Sequence, residues 1–183
     1  MKEKKSFVLI LLAFVILLAG AGLLYKQLGD TPMPGTVAQT EEHETVPAPD
    51  FTVIDADGNQ VHLSDFLGKP VVMNFWASWC GPCKSEMPAF DQLSAELEGE
   101  VVFMMINATD GGRETVDTAK AFVEESGYSF PVYFDTMYEA NYLYGVNALP
   151  TTFFIDAEGN AVGYTSGAMS EEFLMECIEL ILD

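Results

Sequence analysis

Two cysteines separated by two residues, Cys80 and Cys83, carry the chemistry most readily read from this chain. They stand in Trp79-Cys80-Gly81-Pro82-Cys83, between an apolar run (Val71 to Ala77) that reads as a buried strand and a segment that reads as an amphipathic helix. A Cys-x-x-Cys pair at a strand-to-helix turn points to thiol–disulfide exchange. The first N–H groups of a helix are unpaired and its dipole puts partial positive charge there. A Cys80 thiolate would sit in that field, which makes Cys80 the expected attacking sulfur. Cys83 lies about one turn further in, within reach to close a disulfide. Pro82 falls in the first turn, where its missing N–H costs nothing. Two other uses of paired cysteines fit less well. A closed zinc site needs four ligands, and the remaining candidates are Cys177, His43 and His62. A structural disulfide across two residues would close almost no chain entropy.

The elements that must hold this turn follow from periodicity. Phe51 to Ile54 and Gln60 to Leu63 read as a hairpin about Asp57-Gly58. After the cysteines, Met87, Phe90, Leu93 and Leu97 mark one helical face, with Gly99 ending it and Pro88 inside it. Val101 to Asn107 is a second buried strand, Val116, Ala119 and Val123 a second helix, and Pro131 to Phe134 a third strand. A short helix spans Tyr138 to Tyr144. Thr151 to Ile155 and Ala161 to Tyr164 flank a turn, and a last helix starts at the N-cap residue Ser170. Its inner face is predicted to carry Phe173, Leu174, Cys177, Ile178, Ile181 and Leu182, with Cys177 a buried, inert thiol. Apolar central strands alternating with helices predict an α/β three-layer sandwich, a mixed sheet with helices on both faces.

Three stretches are predicted in the 183 residues. Residues 1–28 open with three lysines within the first six positions, followed by 18 uncharged residues, Phe7 to Leu24, near the lower limit for a membrane-spanning helix. The lysines keep the N-terminus in the cytoplasm and place the rest outside it. A cleaved signal peptide ending near Ala19-Gly20-Ala21 is the rival reading, but the apolar run continues past that point, which favours an anchor. Residues 29–49, with four prolines and three glutamates, read as a tether, and residues 50–183 as the folded domain. Net charge is −20; from Pro47 onward four basic residues (Lys69, Lys84, Arg113, Lys120) face 23 acidic ones, a balance of −19. That argues against nucleic acid or an anionic lipid surface as partner and leaves a basic protein partner open.

Asn74-Phe-Trp-Ala-Ser-Trp-Cys-Gly-Pro-Cys83, followed by Glu86-Met87-Pro88 and by Leu149-Pro150-Thr151-Thr-Phe-Phe-Ile155, resembles the thioredoxin superfamily, and more narrowly its membrane-anchored TlpA/ResA branch of extracytoplasmic thiol–disulfide oxidoreductases. The resemblance covers about Pro47 to Asp183. It implies a thioredoxin-like fold with an N-terminal β-hairpin and an inserted α/β segment at about 110–144. It implies Cys80 as exposed nucleophile, Cys83 as resolving cysteine and Pro150 as the cis-proline facing the disulfide. Leu149 is then placed to bond a substrate peptide by strand addition, beside Trp79, Gly81 and Pro82 around the nucleophile. Thioredoxins carry a buried aspartate where this chain has Asn74, which cannot act as a base. Glu86 resembles the active-site glutamate of ResA-like reductases, placed to take the proton of Cys83 or, ionised, to raise the thiol pKa values; the alternative is a solvated first-turn glutamate.

By the same resemblance the activity is reduction of disulfides in exported proteins, such as apocytochrome c or methionine sulfoxide reductase, with a membrane electron donor of the CcdA/DsbD type. No metal and no cofactor beyond the Cys80–Cys83 disulfide is expected. The Gly-Pro dipeptide resembles strongly reducing thioredoxins, with potentials on the order of −270 mV. An oxidase of the same fold and a Cu(I) chaperone are the alternatives; copper carriers of related fold use a wider cysteine spacing and a distal histidine. A peroxidase of the peroxiredoxin kind would need a single reactive Cys with an upstream Thr and a distal Arg, which this sequence lacks.

Overall fold

The computed structural model describes residues 46–182. The predicted anchor at 1–28 and nearly all of the predicted tether lie outside them. Among the described residues no helix is long and apolar enough to cross a membrane.

The sheet is built from the apolar runs. β1 (Val46–Pro47), β2 (Thr52–Ile54), β3 (Gln60–His62), β4 (Val71–Trp76), β5 (Val102–Asn107), β6 (Val132–Phe134), β7 (Thr151–Ile155) and β8 (Asn160–Ser166) form one eight-stranded sheet in the order β1-β8-β7-β4-β5-β6-β2-β3. β4, β5 and β6 run parallel, and β7 pairs antiparallel to β4. The predicted hairpin β2–β3 joins the sheet through Ile54 opposite Phe134. β1 is a departure from the sequence reading, which left residues 29–49 as tether. Val46 and Pro47 pair with Ala161 and Asn160 of β8 and make β1 the edge strand, a position where a proline's missing N–H is tolerated.

Side chains alternate across β4 with the strand period of two. Val72 and Trp76 enter one core cluster, and Val71, Met73 and Phe75 the other. The first cluster lies under α1 (Gly81–Glu96), α2 (Val116–Ser126) and α4 (Glu171–Leu182). The second is covered by a 3₁₀ turn (Leu63–Phe66) and by Ala140 of α3 (Glu139–Leu143). This is the thioredoxin-like layered arrangement. Each helix starts and stops for local reasons. Thr115 caps α2, accepting the Thr118 N–H at 3.1 Å. Gly127 ends it with φ +72°, a left-handed conformation in which glycine carries no Cβ penalty. Ser170 accepts the Phe173 N–H at 3.2 Å and so caps α4 as expected.

The inner face of α4 is narrower than its sequence suggests. Leu174, Ile178 and Ile181 are buried, whereas Phe173 and Leu182 are 44% and 41% exposed. A helix packed on one sheet face buries a single stripe, and the six apolar positions predicted as inner span more than that stripe. Cys177 is half-buried rather than buried, at the stripe's edge. Burial, aided by the Glu176 charge, pushes its thiol pKa up. Truncating Leu174 to Ala is expected to cost about 2–5 kcal/mol by loss of packing and cavity formation. Leu182→Ala should cost well under about 1 kcal/mol. Urea unfolding of the two variants checks the assignment; equal losses would refute it.

Candidate active site

The backbone sets the geometry of the cysteine turn. β4 ends at Trp76, the chain turns with the Cys80 N–H donating to the Ala77 carbonyl at 3.0 Å, and α1 begins at Gly81. Cys80 is the N-cap of α1: its Sγ accepts the Cys83 N–H at 3.2 Å. The nucleophile predicted from position thus sits at the unpaired, positive end of the helix. Cys80 and Cys83 are joined as a disulfide with an S–S distance of 2.01 Å. The resemblance implied an exposed Cys80. In this oxidised form Cys80 is only 3% exposed and Cys83 not at all. Both residues belong to the first core cluster, and Cys80 is the one of the pair with any exposed surface. Gly81 and Pro82 are exposed beside it, Pro82 in the first helical turn.

Glu86 is on the face of α1 that carries Cys83, three residues on. It is a buried carboxylate, 1% exposed, and not a solvated first-turn glutamate. Its Oε1 accepts the Asn74 Nδ2–H at 2.9 Å, and its Oε2 accepts the Met169 N–H at 3.0 Å. Asn74 also donates to Thr152 Oγ1 at 2.9 Å. Asn74 occupies the α1 side of β4, between Val72 and Trp76, so an amide stands at the centre of an otherwise apolar strand face. Burial pushes Glu86 up to about 7 from its ordinary 4.5; the Met169 N–H and the Asn74 amide pull the other way without cancelling it. Near neutrality Glu86 can therefore both hold and release a proton, as a group serving Cys83 must.

The Leu149–Pro150 bond is cis. β7 follows at once, with Thr151 opposite Phe75, which brings Pro150 to the same end of β4 as the cysteine turn. Leu149 packs, half-buried, against the cluster that contains both cysteines. Trp76 is fully buried, and Trp79 is 42% exposed with the Arg113 guanidinium 3.8 Å from its ring centroid. The structure thus brings Cys80, Cys83, Glu86, Leu149, Pro150, Trp79, Gly81 and Pro82 to one end of the sheet.

Sequence reasoning missed Glu114. It is fully buried, 31 residues beyond Cys83, and its Oε1 accepts the Ser78 N–H at 2.9 Å and the Asn107 Nδ2–H at 2.8 Å. Its Oε2 accepts the Ser78 hydroxyl at 2.7 Å. Glu114 therefore fixes the residue two before the nucleophile. Only its place just ahead of the α2 cap, in a loop that otherwise reads as polar, could have marked it. Among the described residues no group of three or more His, Cys, Asp or Glu side chains converges as a metal-binding set.

Glu86 gives the domain a pH signature. Its folded pKa of about 7 exceeds its ordinary 4.5, so the folded state retains a proton that the unfolded chain has released. The resulting stability is fully present below about pH 4.5 and is lost as pH rises through about 7. The loss is at most about 3 kcal/mol. Urea midpoints of the wild type and Glu86→Gln, which keeps the neutral form, should diverge across this window, the wild type falling. Parallel profiles would show that Glu86 does not titrate there.

Comparison with known proteins agrees with this geometry. Residues 45–162 match the AhpC/TSA family. The chain is 34% identical over 179 residues to the thiol-disulfide oxidoreductase ResA of Bacillus cereus, covering 97% of this chain and 98% of that protein. Among solved structures it is similar to StoA of Bacillus subtilis (TM-score 0.62, 26% identity, 73% of this chain and 98% of that one). It is also similar to a thioredoxin-family thiol:disulfide interchange protein of Chlorobium tepidum (TM-score 0.68, 26% identity, 78% of this chain and all of that one). A redox disulfide at a helix N-terminus, a cis X–Pro bond at the same sheet end and this breadth of similarity lead to one conclusion: the chain belongs to the AhpC/TSA family of thioredoxin-like proteins and, within it, to the ResA-type thiol–disulfide oxidoreductases.

Proposed function

We propose that this oxidoreductase works as a reductant of disulfides in exported proteins, held at the outer face of the membrane by residues 1–28 and recharged by a membrane donor of the CcdA/DsbD type. The observation that carries the reductive direction is the buried Glu86 carboxylate on the Cys83 side of α1. An ionised carboxylate there disfavours thiolates on the neighbouring sulfurs and so favours the disulfide over the dithiol. Pro82 acts in the same sense, since it removes one N–H from the turn that would otherwise stabilise a Cys80 thiolate. A dithiol that readily becomes a disulfide is a reductant.

The steps then balance as follows. The Cys80 thiolate attacks one sulfur of the target disulfide; that S–S bond breaks and the other target sulfur leaves as a thiolate. Cys83 passes its proton toward Glu86 and attacks Cys80 Sγ. The second target sulfur departs, the Cys80–Cys83 bond forms, and two electrons have moved to the target. Leu149, Pro150, Trp79, Gly81 and Pro82 border the sulfur that the target must reach, with Leu149 offering backbone for strand pairing. The electron carrier is the dithiol itself. Substrates of the kind implied by the family resemblance are apocytochrome c, oxidised methionine sulfoxide reductase and other exported thiols.

The test is the Cys80–Cys83 reduction potential, measured on the compact unit Glu44–Asp183, which keeps β1. A value at or below about −250 mV is expected; a value above about −150 mV overturns the reductase reading in favour of an oxidase or isomerase. In a second measurement, Cys83→Ala should accumulate a mixed disulfide through Cys80 with a disulfide-bonded target, and Glu86→Gln, with Cys83 intact, should slow release of the target from its transient mixed disulfide by about tenfold or more at pH 7. Equal release rates would remove Glu86 from the proton path.

A further inference from the structure

Two of the chain's few cations, Arg113 and Lys84, lie near the cysteine turn. Of the four basic residues after Pro47, Arg113 lies on the ring of Trp79, the residue before Cys80, with Cζ 3.8 Å from the centroid. Its neighbours fix it there. Asp110 Oδ1 accepts the Gly112 N–H at 2.7 Å and the Glu114 N–H at 2.9 Å, and the Gly111 N–H donates to the Glu114 carbonyl at 2.9 Å. Gly111 turns this loop with φ +73°. Glu114, the next residue after Arg113, is the buried carboxylate that grips Ser78. One residue on either side of the stacked pair, Ser78 and Glu114, is thus bonded to the other, and the cysteine turn and the arginine loop move together.

Trp79 occupies one face of the guanidinium. Arg113 is exposed, and among the described residues its guanidinium donates no hydrogen bond to a side chain or carbonyl. Its planar fork of five N–H groups matches a carboxylate. Stacking also reduces the side-chain freedom that an exposed arginine would otherwise lose on pairing. Asp110 is the acidic group that senses Arg113 from within the loop. Its carboxylate is held below its ordinary range first by the Glu114 and Gly112 N–H groups, with the arginine charge a lesser cause. Lys84, one turn into α1, is the other cation near the turn, and its ammonium lies over Phe122, 5.0 Å from the centroid.

We propose that Arg113, stacked on Trp79, forms a carboxylate-binding subsite beside Cys80 that selects target disulfides flanked by an aspartate or glutamate. The proposal deepens the reductase reading and rests on it for the direction of electron flow. The acidic surface elsewhere repels acidic partners at long range, so the preference is confined to the residue next to the target cysteine and is short-ranged.

The test uses the full chain in its reduced form and three disulfide peptides that differ only in the residue beside one cysteine: Glu, Gln or Lys. The second-order reduction rate is expected to fall in the order Glu, Gln, Lys, with about three- to fivefold between the ends at low salt. Arg113→Ala should flatten the series with little change for the Gln peptide, Arg113→Glu should invert it, and Arg113→Lys should keep part of it. A series that survives Arg113→Ala unchanged, or a wild type that treats the three alike, overturns the proposal. A companion measurement does not depend on electron flow: Trp fluorescence of the oxidised chain titrated with the same peptides carrying serine for cysteine. Equal affinity for the Glu and Lys forms overturns the subsite. Preference for the Glu form alongside failure to reduce even the Gln peptide supports the subsite and overturns only the reductase reading.

Discussion

A single amide, Asn74, ties the catalytic half of this fold together. It stands on the α1 face of the central strand, where every other side chain is apolar, and donates to Glu86 on α1 and to Thr152 on β7. Glu86 in turn accepts the backbone N–H of Met169, at the entrance to α4. One polar connection therefore spans the central strand, its antiparallel neighbour, the helix that carries both cysteines and the start of the last helix. A buried carboxylate without such partners would be costly. With them it persists, protonated or ionised, at a pKa within reach of neutral pH. The position of α1, and so of the Cys80 cap, depends on this accommodation.

The placement of charge explains why the site is split between two glutamates. Glu86 is buried on the Cys83 face of α1, where burial lifts its carboxyl to about 7. Glu114 sits at the sheet end and accepts three hydrogen bonds, two of them from Ser78. The first joins α1 to the central strand and the entrance of α4, and the second is a brace for Ser78.

Much of this was legible in the sequence because local signals and global fold agree. The apolar runs are strands, Ser170 is a cap, and Cys-Gly-Pro-Cys opens a helix. Asn74 and Glu86 stood out through the family resemblance, and the fixed length of a helix turn put Glu86 on the Cys83 face; the hydrogen bond between the two was not legible. Nor was Glu114. Its partner is 36 residues away, and nothing in a polar loop distinguishes a solvated carboxylate from one folded inward. Phe173 and Leu182 failed for another reason: α4 has more apolar residues than one buried stripe can use. β1 was hidden because its two residues, Val46 and Pro47, gain strand character only by pairing with β8.

The brace at Glu114 also makes part of the molecule exchangeable. Thr109 and Glu114 are both buried, Thr109 bonded to Asn107 and Glu114 to Asn107 and Ser78. The four residues between them, Asp110 to Arg113, are exposed, and Arg113 stacks on Trp79 of the cysteine turn. They form a short cassette strung between two fixed posts. Asp110 and Gly111 bond to the Glu114 post itself, which leaves Gly112 and Arg113 as the positions least tied to the brace. A fold of this kind can change which proteins it serves by rewriting a handful of surface residues, while the redox centre behind them stays as it is.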